Sequence, residues 1–114
     1  MQAETPNILK NDAVLTEIVR RIVAEFHPKR VFLFGSRARG DAVQGSDYDI
    51  LVIMATEETP GYRLAQRAHR GILRGIPAPI DLIFFTEKKF EERKTVIGSL
   101  PETAIHEGKE LYAA

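Results

Sequence analysis

The chain has 114 residues, a formal net charge of zero and no cysteine; 44% of its residues are hydrophobic and 28% are charged. This length and balance fit one globular domain and exclude a chain that is disordered throughout, while the missing cysteine excludes disulfide scaffolds, thiol catalysis and cysteine-ligated zinc. Sixteen basic against sixteen acidic residues argue against direct binding to nucleic acid, and no apolar stretch is long enough to span a membrane.

The N-terminal part predicts a lead-in followed by a helix. Residues 1–10 are expected to be flexible, and residues 11–114 are expected to form a single domain. The start of the chain is polar and carries an acid, unlike a signal peptide, so a cytoplasmic location is expected. Apolar residues at helical spacing then predict a helix that Asn11 or Asp12 caps and that ends near Phe26.

Three short apolar runs predict strands. They lie at Val31–Phe34, Tyr48–Met54 and Ile80–Phe85. Between the second and third runs, Thr59-Pro60 predicts the start of a helix that continues to about Arg74. The tail predicts two helical pieces broken near Gly98–Pro101, with Gly108 ending the last piece and Leu111-Tyr112 forming a closing strand. This order predicts an α+β fold, an α/β two-layer arrangement in which helices flank a small mixed β-sheet.

Three aspartates lie in or next to the predicted strands. Asp47 and Asp49 open the second strand and project to one face, and Asp81 can join them if the third strand pairs beside the second. Tyr48 between them is expected to point to the opposite face and pack. Oxygen ligands alone favour magnesium or manganese over zinc. Each acid also has a structural alternative, namely a turn, an exposed strand start or a salt bridge with arginine.

Gly35-Ser36 ends the first strand and predicts a phosphate site. A strand that turns there into a short helix presents backbone N–H groups, and glycine lets a phosphate come close. The dipeptide alone is common, so its weight comes from its combination with the acids. Arg37 and Arg39 follow it, and one of them is expected to contact phosphate through its planar guanidinium; the alternative is a surface charge.

Together these residues resemble a known signature. Gly35-Ser36, ten intervening residues and Asp47-Tyr48-Asp49 are similar to the motif of the DNA polymerase β-like nucleotidyltransferase superfamily, and Asp81 matches its third carboxylate on a later strand. The short chain and the stretch from Phe34 to Asp41 resemble the minimal nucleotidyltransferases of prokaryotes. The resemblance covers about residues 12–112.

The resemblance implies the polymerase β-like fold and a magnesium-dependent transfer of a nucleotide, AMP from ATP in the first instance, to a hydroxyl group. Asp47 and Asp49 would hold two Mg²⁺ ions, with Mn²⁺ as the other candidate metal. Asp81 would bind the catalytic metal and help to deprotonate the acceptor. The residues expected to bind the nucleotide are Gly35, Ser36, Arg37 and Arg39.

The resemblance also implies a partner. Minimal members of the family are commonly encoded beside a HEPN-domain protein, often a ribonuclease toxin, and some add AMP to a tyrosine of that toxin. The chain is therefore expected to be an antitoxin that modifies a HEPN toxin. Two alternatives stay open: an antitoxin that neutralises by binding alone, and a nucleotidyltransferase of a small molecule such as an antibiotic.

The predicted middle helix carries a basic stripe. Its members recur at helical spacing and are Arg63, Arg67, Arg70 and Arg74. The apolar side of this helix is expected to pack on the sheet. The stripe is either a surface for an acidic partner, RNA or the triphosphate, or a solvated helix face.

Overall fold

A computed structural model describes residues 6–114. Residues 1–5 of the predicted lead-in lie outside this part, and the next residues form a short helix, α1 (Asn7–Lys10). The flexibility of the lead-in and the domain boundary at residue 11 stay predictions. No helix in the described part of the chain is both long and apolar enough to cross a membrane.

Helix α2 (Ala13–Phe26) has the predicted cap and end. The Asp12 side chain accepts a hydrogen bond from the Leu15 N–H at 3.0 Å, which satisfies one of the free donors of the first turn. At the other end His27 adopts a left-handed conformation with φ 49°, directly before Pro28. The apolar face predicted from the spacing is buried against the sheet.

Within the described residues 6–114, four strands form one mixed sheet, as the sequence predicts. They are β1 (Arg30–Phe34), β2 (Tyr48–Met54), β3 (Ile80–Thr86) and β4 (Lys109–Ala113). Their order is β3-β2-β1-β4, with β1 antiparallel to both of its neighbours and β2 parallel to β3. A parallel pair needs a crossover connection, and the segment containing α4 (Gly61–Arg70) supplies it and packs on β3.

Helix α4 is shorter than predicted at both ends. Pro60 has ψ 139°, so it precedes the helix instead of occupying its first turn. The helix ends at Arg70, because Gly71 leaves helical geometry with φ −120° and ψ −97° and the chain continues in turns. Arg74 therefore lies outside the helix, and its place in the basic stripe was predicted wrongly.

Two apolar layers enclose the sheet. One face packs on α2 and α4, and the other packs on α5 (Glu87–Arg93) and α6 (Leu100–Glu107). The two pieces of the tail helix are thus confirmed, with Thr86 and Ser99 as their side-chain caps. Central strand residues alternate between the layers: Val52 faces α2, whereas Leu51 and Ile53 face α5. A short helix, α3 (Gly35–Arg39), follows β1 directly.

Candidate active site

The sheet topology brings the three acids to one end of neighbouring strands. In the parallel pairing of β2 and β3, Asp49 stands opposite Asp81, and Asp47 directly precedes β2. The third strand pairs beside the second, which was the condition for Asp81 to join Asp47 and Asp49. Asp49 is half-buried, while Asp47 and Asp81 are exposed, and β3 is an edge strand of the sheet. The carboxylates of Asp47, Asp49 and Asp81 therefore lie together at a solvent-accessible end of the sheet. These three acids form the corner of the candidate site.

Gly35 lies against this corner. In the antiparallel pairing of β1 and β2, Phe34 stands opposite Asp49, so Gly35 follows at the level of the acids. Gly35 has φ +74°, and a Cβ built on it would collide with Asp49 Oδ2 and stand 3.0 Å from the Asp49 carboxyl carbon. With this carboxylate position a side chain at residue 35 would clash, so the predicted phosphate loop (residues 35–37) lies in direct contact with one member of the acid pair, Asp49 and Asp81.

The electrostatics of the corner are those of crowded like charges. Burial raises the pKa of Asp49, the charges of Asp81 and Asp47 raise it further, and Arg39 lowers it. Two carboxylates roughly 6 Å apart repel by about 3 kcal/mol at an effective dielectric of about 20. Ionisation of Asp49 is therefore costlier than that of a free aspartate, and a bound cation would offset this cost.

The donor chemistry of this corner fits a hard divalent cation. The donors are carboxylate oxygens, two of them on residues in direct register, and their repulsion would be relieved by a cation. Within residues 6–114 no three acidic, histidine or cysteine side chains are gathered tightly enough to enclose a metal ion. Asp47, Asp49 and Asp81 would therefore have to turn their side chains inward to bind one together.

The two arginines after Gly35-Ser36 occupy different positions. Arg37 is engaged with the protein: its Nε donates to the Ser46 carbonyl oxygen at 3.0 Å, and its guanidinium lies 4.0 Å from the centre of the Tyr48 ring. Arg39 is exposed, pairs with Asp41 at 3.3 Å and acts electrostatically on Asp49. Arg39 is thus better placed than Arg37 to meet a phosphate at the acids.

Tyr48 packs on the opposite face, as predicted, and has contacts that the sequence did not indicate. It is 4% exposed, and its hydroxyl donates to the Asp12 carboxylate, with the shorter distance 2.8 Å to Oδ2. Asp12 was predicted only as a helix cap. Because 36 residues separate the two side chains, no local sequence pattern could have found this bond.

Two hollows within residues 6–114 lie away from the acids. One hollow lies at the far ends of β2 and β3, between Met54, Leu64 and Phe84. Another lies between α2 and the turn at Gly75–Pro77. Neither of these hollows includes an acid of the corner.

Three members of the basic stripe stand exposed on α4, namely Arg63, Arg67 and Arg70. The guanidinium of Arg67 lies 5.6 Å from the centre of the Phe26 ring, so this side chain is partly held by α2. The Arg74 carbonyl, beyond the helix, accepts a hydrogen bond from Arg21. No acidic residue occurs in residues 59–80, so this side of the molecule is positively charged in a chain of zero net charge.

Comparisons with known proteins identify the family of the chain and test its fold. A family model described as "nucleotidyltransferase domain" matches residues 15–106. No curated protein matches the sequence. The predicted residues of the corner and the phosphate loop fall within the matched range.

Several solved structures share the fold. A toxin–antitoxin with AMP-PNP is 24% identical, with 87% of this chain and 73% of that chain covered and a TM-score of 0.57. A mutant of the toxin–antitoxin MntA–HpeT is 21% identical, with 88% and 72% covered and a TM-score of 0.59. A Sulfolobus solfataricus protein assigned to the nucleotidyltransferases is 21% identical, with 99% and 93% covered and a TM-score of 0.61. These similarities confirm the predicted fold.

Proposed function

The chain belongs to the nucleotidyltransferase domain family, and from this premise we propose that it transfers AMP from ATP to a hydroxyl group of a partner toxin and so acts as its antitoxin. The observation that carries the proposal is the contact between Gly35 and Asp49, with Asp81 in register beside Asp49. A phosphate loop and an acid pair in contact are what a triphosphate with its metal ions requires.

Each part of the corner has a role in this proposal. The N–H groups at the start of α3 have no partner within the helix and would bind outgoing phosphates at Gly35 and Ser36, with Arg39 adding charge. Asp47 and Asp49 would hold two Mg²⁺ ions, which when bound neutralise the triphosphate. Asp81 is exposed on the edge strand, where it would accept the proton of the acceptor hydroxyl.

The open position of the acids supports a macromolecular acceptor. Asp47 and Asp81 are exposed, and neither of the two hollows described above includes an acid, so a folded partner can reach the carboxylates at the protein surface. A tyrosine on the surface of a folded partner could approach along the edge strand β3. Two solved structures named above are toxin–antitoxins, one of them with the adenine nucleotide AMP-PNP, and they support the toxin partner and the ATP substrate that the resemblance implies.

Mass spectrometry of the partner toxin tests whether AMP is transferred to it. When the chain, a HEPN toxin, ATP and magnesium are mixed, we expect the toxin to gain whole AMP units of roughly 330 Da each, with pyrophosphate released, because attack falls on the α-phosphate. A chelator should stop the gain in mass. If the toxin is neutralised at unchanged mass, and the chain with all three acids changed to asparagine protects equally well, the chain is a binding antitoxin and the proposed transfer is wrong.

The basic stripe is proposed to contact the partner. Changing Arg67 and Arg70 to glutamate should weaken toxin binding about tenfold or more, since like charges then face an acidic surface. The free energy of unfolding should fall by only about 1 kcal/mol, chiefly from the lost Arg67–Phe26 contact. Binding is measured by titration calorimetry, with Lys88 and Lys89 changed to glutamate as the matched charge reversal on α5. Equal affinity in both double variants and the parent would leave the stripe a solvated face.

A further inference from the structure

Tyr48 connects the acid-bearing strand to the N-terminus of α2. Its hydroxyl lies 2.8 Å and 3.1 Å from the two carboxylate oxygens of Asp12, which also accepts the Leu15 N–H that begins the helix. Burial and the bond to Asp12 raise the pKa of Tyr48 to about 12, so the hydroxyl remains protonated and donates. The ring of Tyr48 packs in the apolar core, and its hydroxyl binds Asp12.

The same side chain also connects the strand to the phosphate loop. The Arg37 guanidinium covers its ring at 4.0 Å, and Arg37 Nε donates to the Ser46 carbonyl, two residues before Tyr48. The Tyr48 backbone N–H donates to the Pro79 carbonyl at 3.0 Å, immediately before β3. Four segments therefore meet at one residue: α2, α3, the loop before β2 and the start of β3.

We infer that Tyr48 is a positioning residue, which through Asp12 and Arg37 fixes the start of β2 and thereby the directions of Asp47 and Asp49. Successive residues of a strand point to opposite faces, so Tyr48 is anchored on the core side while its two neighbours project at the corner. A turn of the strand about its axis would move both acids, and the hydroxyl bond on the core side opposes it. This inference rests on the proposed function, because it assigns Tyr48 to the binding of the metal–nucleotide complex.

The test measures binding as well as transfer. The probe is the Mn²⁺ complex of AMP-PNP, titrated calorimetrically into the full chain, beside the AMP-transfer assay. Tyr48→Phe keeps the ring and removes the hydroxyl bond, and we expect about 10- to 100-fold weaker binding, as for other residues that orient metal ligands. Asp12→Ala removes the same bond from the other side and should weaken binding equally. Asp12→Asn keeps an acceptor oxygen and a helix cap, so it should restore the parental affinity.

A variant at a second helix cap is the control for an effect that comes from lost stability alone. Ser99 caps α6 on the other face of the sheet, where its hydroxyl accepts the Glu102 N–H at 3.2 Å. Ser99→Ala should lower the Tm in the same way as Asp12→Ala while leaving the affinity for the Mn²⁺ complex unchanged. If Ser99→Ala weakens binding as much as Tyr48→Phe does, the effect is one of stability, and the inference is overturned.

The remaining outcomes separate the inference from the proposed function. A parent chain that binds the complex and transfers AMP, with Tyr48→Phe equal to it in both, overturns the positioning role alone. A parent chain that neither binds the complex nor transfers AMP overturns the proposed function and the inference with it. Weaker binding in Tyr48→Phe and Asp12→Ala, with recovery in Asp12→Asn, supports the positioning role.

Discussion

Replacing Asp49 with asparagine is expected to lower AMP transfer by about 100- to 1,000-fold or more, the loss that follows when a group stabilising developing charge is removed. Asp49 is the acid that contacts the other parts of the site. It is half-buried, it stands in register with Asp81, and its Oδ2 lies beside Gly35, where a side chain would clash with it. Asparagine has the same shape but one charged oxygen less for a cation. Initial rates of pyrophosphate release at saturating ATP and magnesium measure the change.

The fold should survive this substitution. Burial and the neighbouring charges of Asp81 and Asp47 raise the pKa of Asp49, so these surroundings stabilise its negative charge less well than water does. A neutral asparagine removes that repulsion, and the free energy of unfolding should be unchanged or higher. Glu25→Gln, which removes an exposed carboxylate from α2, is the matched control and should keep the parental rate. Parental transfer rates in Asp49→Asn would contradict the assignment of the acids.

Much of this fold follows from patterns within a few residues of one another. The capping of α2 by Asp12, the break between α5 and α6 and the runs that become strands are local features, and the structure has them where the sequence predicts them. The bounds of α4, in contrast, do not follow from such local patterns. Its apolar spacing continues past Arg70, and only the backbone conformation of Gly71 ends the helix, so Arg74 was predicted on the wrong element.

The candidate site likewise combines features that sequence patterns predict with features that only the structure shows. The spacing of Gly35-Ser36 and the acids is a sequence motif, whereas the pairing of β2 with β3 was only a condition in the sequence analysis and is shown by the structure. The bond from Tyr48 to Asp12 joins residues that no pattern relates, because it depends on where α2 crosses the end of the sheet. The different surroundings of Arg37 and Arg39 likewise need coordinates, since both residues follow the same glycine and carry the same charge. Their roles toward the nucleotide stay predictions.

Gly35→Ala is expected to abolish transfer while every acid remains in the chain. The added Cβ would occupy the place of Asp49 Oδ2, so the carboxylate must turn away or β1 and β2 must separate. Misplacing a reacting group by about 1 Å is enough to lose on the order of 100-fold in rate. The left-handed backbone of Gly35, with φ +74°, adds about 1–2 kcal/mol of strain for a residue with a side chain.

Gly98→Ala separates the effect of backbone strain from the effect of the collision with Asp49. Gly98 has φ +85° and nothing within 4 Å of an added Cβ, so alanine there brings the same backbone strain without a collision. Both variants should lose about 1–2 kcal/mol of unfolding free energy in urea titrations from strain alone, with a further loss in Gly35→Ala from the clash. Only Gly35→Ala should lose pyrophosphate release. Equal transfer by the two variants would show that Asp49 can leave Gly35 without consequence, and the phosphate loop and the acid pair would then not act as one unit.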